Sequence, residues 1–312
     1  MGRVLHECAD PWGRMVTVTD PSATFRRVPL PARAPRLIAT DLDGTLLHDD
    51  KSVSARTVAA LDAAEKAGIE VFFVTGRPAR WMDVVSDHVH RHGLAICGNG
   101  AAVVDLHRGR EIVEVRELSR WSAMAVVRAL REVAPGVTFA VERTGGITYE
   151  PDYPPFFEDP GAVVAPIAKL LGEGGADRHR AGRGPGAEQP VLKLLAHHTE
   201  LAPDFFLELA RRAAGDFAEF TRSSPTALLE VSGRGVSKAS TLARCCVARG
   251  IAPDEVVAFG DMPNDLEMLT WAGTSYAMAN GHAQVRAATT FETLSNNEDG
   301  VAVAIEGLLT LR

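Results

Sequence analysis

Two carboxylates stand one residue apart at the end of an apolar run. In "LIATDLDGTLL" (37–47), Asp41 and Asp43 flank Leu42, and Gly44 and Thr45 come next. Acids this close repel one another, and a bound cation is what makes such a pair useful. If residues 41–43 leave a strand extended, their side chains point to opposite sides. One can then face a metal and a substrate while the other waits near a leaving group. Gly44 lets the chain turn sharply, and Thr45 is placed to cap the next turn. A second acidic stretch, "GDMPNDLEML" (260–269), crowds Asp261 and Asp265 onto one turn. Asn264 lies between them as a candidate N-cap, with Glu267 at capping-box spacing. Lys238, in "GVSKASTLARCC", opens an amphipathic pattern in a chain where lysine is rare. A cation at a helix start opposes the helix dipole, and gains a reason if an anion such as phosphate sits beside it. Each feature alone also has a bland reading: a turn or calcium-loop fragment, a simple cap, an exposed surface lysine. Calcium is disfavoured, because no EF-hand continuation or terminal bidentate Glu is present.

The elements around these residues are those of a parallel sheet. "RLIAT" is a short apolar run, and "SARTVAALDAAEKAG" (54–68) has apolar residues at helical spacing with Gly68 as its stop. "IEVFFVTGR" (69–77) is a second strand, a helix is expected from about Ala79 to His92, and "LAICGNGA" (94–101) is a third strand. "EVVAFGD" (255–261) and "TSYAMANG" (274–281) supply two more, with a helix over 264–273 between them. Strands apolar throughout and separated by helices imply a parallel sheet covered on both faces. Ligands of such sheets bind beyond the carboxyl ends of the strands. Asp41 and Asp43, Thr75-Gly76-Arg77, Gly98-Asn99-Gly100 and Asp261 all fall there, so they are expected to converge, with Asp41 beside Asp261 and Asp265 near. Hard oxygen donors at that density select Mg²⁺.

The middle of the chain has another rhythm. "VVDLHRGREIVEV" (103–115) reads as a hairpin turning at Arg108-Gly109, and 119–136 as an amphipathic helix. "VTFAVERTGGITYE" (137–150) alternates like antiparallel strands; "VLKLLAHH" (191–198), a helix over 203–214 and "ALLEVSG" (227–233) come after it. This is an α+β unit inserted into a doubly wound one. The expected division is a flexible tail over 1–35, with Met15 as an alternative start, a core over 36–112 and 229–312, and the insert over 113–228. Residues 172–190, including "GRGPGA" (182–187), read as a flexible linker. Tyr149, Tyr153 and Phe156 either face a substrate or pack at a hairpin end. His197 and His198 are expected at the surface. His88, His90 and His92 are spaced by two, which spreads them around a helix and makes a poor metal site.

A net charge of −7 argues against a nucleic-acid partner, which calls for a basic face. No apolar run approaches the roughly 20 residues of a membrane span, and no signal core precedes the first elements. The four cysteines have no CxxC spacing, as for reduced packing residues, so a cytoplasmic protein is expected. Oligomeric state is not legible.

Taken together, "DLDGTLL", "TGR", "CGNGA", "GVSKASTL", "GDMPNDLEML", "AMANG" and "SNNEDGVA" resemble the haloacid dehalogenase (HAD) superfamily, in particular its Cof-type, subclass IIB phosphatases with a large α+β cap. The resemblance spans Ile38 to about Ala302. It implies a doubly wound HAD core with an inserted cap, and a Mg-dependent phosphatase that hydrolyses a small phosphorylated metabolite, a sugar phosphate or phosphorylated cofactor. Asp41 would be the nucleophile and Asp43 the acid and base. Thr75, with Gly76, Lys238 and Asn264, would bind the phosphoryl group. Asp41, Asp261 and the Asp43 carbonyl would hold Mg²⁺, with Asp265 at the same site. Asp43 points away from dehalogenation. A phosphonatase would need a cap lysine forming a Schiff base, and neither Lys169 nor Lys193 has the context for it. The alternatives are a non-catalytic phospho-ligand-binding regulator on the same fold, or a sugar-phosphate mutase or disaccharide-phosphate phosphatase relative.

Overall fold

The computed structural model describes residues 29–86, 93–154, 162–172, 189–223 and 226–311, with the backbone of 7–9 and 15–17. Its larger sheet has eight strands. Leu37–Thr40 (β3), Glu70–Val74 (β4) and Leu94–Cys97 (β5) run parallel to one side, and Val256–Gly260 (β13), Thr274–Ala277 (β14) and Phe291–Glu292 (β15) to the other. β13 lies against β3, with Phe259 opposite Thr40. This is the point where the strand order reverses, and therefore where a doubly wound sheet opens a crevice. Ala102–Asp105 (β6) and Glu111–Val115 (β7) extend the β5 edge as an antiparallel hairpin.

Strand alternation divides the sheet's residues between two layers. Ile38, Val71, Phe73, Val257 and Phe259 pack with Leu61 of helix Ala55–Lys66 (α1) and Ile305 and Leu308 of helix Gly300–Leu309 (α9). Leu37, Ala39, Phe72, Val74 and Ala258 pack with Leu242 and Cys246 of helix Lys238–Ala248 (α6), Met268 of helix Leu266–Trp271 (α7) and Val285 of helix Ala283–Ala288 (α8). Both faces are thus buried, which explains the uninterrupted apolar strands.

The smaller sheet is antiparallel throughout, in the order Glu219–Thr221 (β11), Leu228–Ser232 (β12), Val191–His197 (β10), Thr138–Arg143 (β8), Gly146–Tyr149 (β9). One face is apolar. Phe139, Val141, Leu194 and Val231 bury against Val127 and Leu130 of helix Arg120–Val133 (α3) and Phe206 and Ala210 of helix Pro203–Ala214 (α5). The short helix Ile167–Leu170 (α4) adds Ile167 and Leu170 to the same core. β7 ends at Val115 and β12 at Ser232, so the expected divisions at 112/113 and 228/229 fall inside strands.

Several local expectations are corrected. The helix expected over 79–92 begins as a 3₁₀ turn, Ala79–Trp81, and a short helix, Asp83–Ser86 (α2); 87–92, with its three histidines, lie outside the described residues. His198 is not at the surface. It is buried, its Nε2 3.0 Å from the Pro135 carbonyl and its Nδ1 accepting from the Glu200 and Leu201 amides. Tyr153 packs at the hairpin end, 5.6 Å from Tyr149 and 6.3 Å from His197 between ring centres; Phe156 lies outside the described residues. Within the expected tail, Glu7–Ala9 (β1) and Met15–Thr17 (β2) pair antiparallel, and most of 1–28 lies outside the described residues. Pro29 and Leu30 lie against the large sheet: the Tyr276 hydroxyl donates to the Pro29 carbonyl at 2.5 Å, and Leu30 packs on its core. The linker region 173–188 is also outside the described residues. Among the described residues no helix is long and apolar enough to cross a membrane.

Candidate active site

Asp41 directly follows β3, and Asp261 directly follows the neighbouring β13. The Asp41 amide donates to the Phe259 carbonyl at 3.0 Å, which continues the ladder to the very residue that carries the carboxylate. Asp261, Asp265 and Asp41 are all buried, and each offers a carboxylate oxygen within 4.8 Å of the others. That trio could hold a metal ion.

Lys238 reaches the cluster from α6. Ser237 caps this helix reciprocally with Ser240: the Ser240 amide donates to Ser237 Oγ at 3.2 Å, and the Ser237 amide to Ser240 Oγ at 2.9 Å. The cap fixes Lys238 as the first helical residue. Its Nζ donates to Asp41 Oδ1 at 2.5 Å and Asp265 Oδ1 at 2.6 Å, and the side chain is buried rather than displayed to solvent. The approach of α6 requires glycine at position 100, where φ is +103° and a β-carbon would collide with the Ser237 carbonyl.

The electrostatics arise from burial. Loss of solvent pushes the Asp41 carboxyl well up, Lys238 pulls it down, and Asp265 and Asp261 push it up again. Burial, then Asp265, raises Asp261 to about 7. For Lys238 burial works against the ammonium, but Asp265 and Asp41 outweigh it and hold its pKa above the usual range.

Asp43 is differently placed. Its side chain is 41% exposed and turned to cations: Arg77 Nε donates to Oδ2 and Arg77 Nη2 to Oδ1, both at 2.6 Å, and Lys51 Nζ to Oδ1 at 3.0 Å. Partial burial pulls its pKa up, but the hydrogen bonds from Arg77 and Lys51 win and set it below the ordinary carboxylate value. A forked guanidinium on a carboxylate fixes orientation as well as charge.

The remaining predicted residues take local parts other than those expected. Thr45 does not cap the next turn; its hydroxyl donates to Asp261 Oδ1 at 3.0 Å. Asn264 is not an N-cap. The amides of Asp261 and Met262 donate instead to Asp265 Oδ2 at 3.1 and 3.0 Å. Asn264 Nδ2 donates to Asn99 Oδ1 at 3.4 Å, while Asn264 Oδ1 is buried without a partner among the described residues. Thr75 is buried, its Oγ1 accepting from the Arg77 amide at 3.1 Å, and the Gly76 carbonyl accepts from Lys193 at 2.9 Å.

Arg77 was expected at the crevice but without its part on Asp43, and Lys51 escaped the reading of the sequence. A signal was present in composition: the chain has five lysines, and Lys51, Lys193 and Lys238 all donate to residues of these turns.

A parallel sheet whose switch point gathers three buried acids and a buried lysine is a doubly wound α/β fold with its candidate site at the crevice. The chain belongs to the haloacid dehalogenase-like hydrolases, whose family model matches residues 38–305. It is 27% identical over 283 residues to the 5-amino-6-(5-phospho-D-ribitylamino)uracil phosphatase YitU of Bacillus subtilis (strain 168), covering 86% of this chain and 95% of the relative. It is 28% identical over 283 residues to the pyridoxal phosphate phosphatase YbhA of Escherichia coli (strain K12), covering 86% and 96%. The solved structure of BT1666 from Bacteroides thetaiotaomicron, from the HAD superfamily phosphatases, matches with a TM-score of 0.72 at 22% identity, covering 91% of this chain and 99% of that one.

Proposed function

We propose that the protein is a Mg²⁺-dependent cytoplasmic phosphatase acting on a small phosphorylated metabolite, a sugar phosphate or a phosphorylated cofactor, through an aspartyl-phosphate on Asp41. The observation that carries this reading is the Lys238 ammonium bridging Asp41 and Asp265 inside a buried acidic cluster. A cation there serves an anion that must approach two carboxylates. The names of YitU and YbhA, both phosphatases of small phosphorylated compounds, support the substrate class. Free, buried Cys97, Cys245 and Cys246 accord with a reducing compartment.

The cluster fits a hard divalent ion. It offers oxygen donors only, and the raised pKa values of Asp41 and Asp261 express a repulsion that a cation relieves. Asp41, Asp261 and the Asp43 carbonyl would hold it. Asp265, whose oxygens already accept from Lys238 and two amides, orients the cluster. Bound Mg²⁺ would neutralise charge on the phosphoryl oxygens.

The side chains supply the rest. Asp41 attacks phosphorus, and its new O–P bond forms as the ester oxygen departs with a proton from Asp43. Asp43 then takes a proton from water, whose oxygen attacks the aspartyl-phosphate, releasing phosphate and restoring Asp41. Thr75 and the Gly76 backbone bind phosphoryl oxygens, Lys238 balances their charge, and Asn264 positions water. Arg77 and Lys51 hold Asp43 ionised; an arriving phosphoryl dianion competes for these cations and lets Asp43 take up its proton.

Hydrolysis of p-nitrophenyl phosphate by wild type and Asp41→Asn, with Mg²⁺ or with EDTA, tests the reading, together with a panel of phosphorylated metabolites. Turnover is expected only in wild type with Mg²⁺. Absence of wild-type turnover on every compound would overturn it.

A further inference from the structure

A second buried ionic pair touches the catalytic turns, and it comes from the smaller sheet. Lys193 on β10 and Glu230 on β12 are 4% and 7% exposed. The strands pair with Leu195 opposite Glu230, so Lys193 and Glu230 are diagonal neighbours on one face. Leu194 and Val231 alternate to the other face and bury in the sheet's own core. The polar face is therefore the one turned to the larger sheet, and Glu142 of β8 also crosses from it to Arg80.

The pair's partners lie on the turns that follow β4 and β5. Lys193 Nζ donates to the Gly76 carbonyl at 2.9 Å and to Glu230 Oε1 at 2.8 Å. Glu230 Oε2 accepts from Asn99 Nδ2 at 2.6 Å and from Ser223 Oγ at 3.2 Å. Asn99 sits at φ 58°, the left-handed region that asparagine adopts more readily than other non-glycine residues. Its amide donates to the Thr75 carbonyl at 3.0 Å, and the Gly98 amide to the Arg77 carbonyl at 2.9 Å. Arg77 in turn holds Asp43. The contacts form an unbroken chain from the smaller sheet to Asp43. A buried ion pair is a poor source of stability against apolar residues of similar size, so its retention here points to fixing geometry.

We propose that Lys193 and Glu230 are positioning residues: through Gly76 and Asn99 they hold the Thr75–Arg77 turn, and so make the orientation of Asp43 depend on the docked smaller sheet. The kinetic part of the test rests on the phosphatase reading; the exchange part does not.

The experiment compares wild type, Glu230→Gln, Glu230→Leu, Asn99→Ala and Glu230→Leu/Asn99→Ala. Readouts are steady-state hydrolysis of p-nitrophenyl phosphate at saturating Mg²⁺ and amide hydrogen exchange of peptides spanning 74–77 and 97–100. Glu230→Leu is expected to lower kcat about tenfold or more, since small misplacements near the chemistry are costly. Its KM should change less than about threefold. Glu230→Gln, which keeps an acceptor for Asn99, should recover most of the loss. The double variant should be slower than Asn99→Ala alone by less than the factor Glu230→Leu costs in wild type, because the two substitutions share the Asn99 contact while Lys193 reaches Gly76 separately. Exchange should quicken in both peptides and not in α1 or α9. Should Glu230→Leu fail to fold, Lys193→Met/Glu230→Met removes the pair without stranding a buried charge, and should show the same kcat loss and local exchange with an undiminished Tm. Unchanged exchange, additive losses or an unchanged kcat would overturn the inference. Wild type inactive on the aryl phosphate would remove the phosphatase reading, while the exchange data alone would still decide this one.

Discussion

Gly44 faces the carboxylate of Asp261 with no room for a β-carbon. An added methyl would collide with Asp261 Oδ2 and reach its Cγ at 3.0 Å, and φ at Gly44 is +77°. The turn after Asp43 and the acid beyond β13 therefore share one space. Gly44→Ala should cost about 1–2 kcal/mol from the left-handed backbone alone and displace Asp261 from the cluster. In a thermal-shift titration, Mg²⁺ at 100 times its Kd should stabilise wild type by about 2.7 kcal/mol. Gly44→Ala should need at least about tenfold more Mg²⁺ for the same effect, which is about 1.4 kcal/mol of lost binding. An unaltered Mg²⁺ response would show that the acid does not depend on this contact.

The two cations on Asp43 should contribute unequally. The Arg77 side chain is 16% exposed and forks onto both carboxylate oxygens, whereas Lys51 is 57% exposed and makes one bond. Exposed pairs are worth about 0–1 kcal/mol. Lys51→Ala should accordingly keep kcat within about fivefold. Arg77→Lys retains charge but not the fork, and kcat should fall about 10- to 100-fold. Kinetics on p-nitrophenyl phosphate check both, and equal losses would contradict the assignment.

Glu230 gives a pH dependence with a definite sign. Burial raises its pKa, but Lys193 and the hydrogen bonds from Lys193 and Asn99 prevail, and its folded value is lowered. A carboxylate lowered on folding contributes stability above its unfolded pKa, about 4.3, and loses it as pH falls through the folded value. Protonated Glu and Gln are nearly the same shape. The Tm difference between wild type and Glu230→Gln should therefore be largest above pH of about 5 and shrink below about 4. A difference constant across that range would count against a buried, ionised Glu230.

The features governed by local chemistry were legible in the order of residues alone. Uninterrupted apolar runs could only be strands buried on both faces, as Phe72 and Phe73 are, in opposite layers. The DxDG and GDxxND stretches displayed their carboxylates openly, because residue type alone marks them. Which side chain meets which partner was settled by folding. Thr45 and Asn264 looked like caps from their neighbours, yet Thr45 turns to Asp261 and Asn264 to Asn99. Lys238 was expected beside a phosphoryl group, but its contact with Asp41, 197 residues away, needed α6 to carry it there. Lys193 had no visible context because its acceptor at Gly76 is 117 residues distant and on another sheet. Burial stamps a short period onto the chain, and that period can be read. The pairing of charges across docked sheets leaves no local pattern, because it depends on where distant strands come to rest.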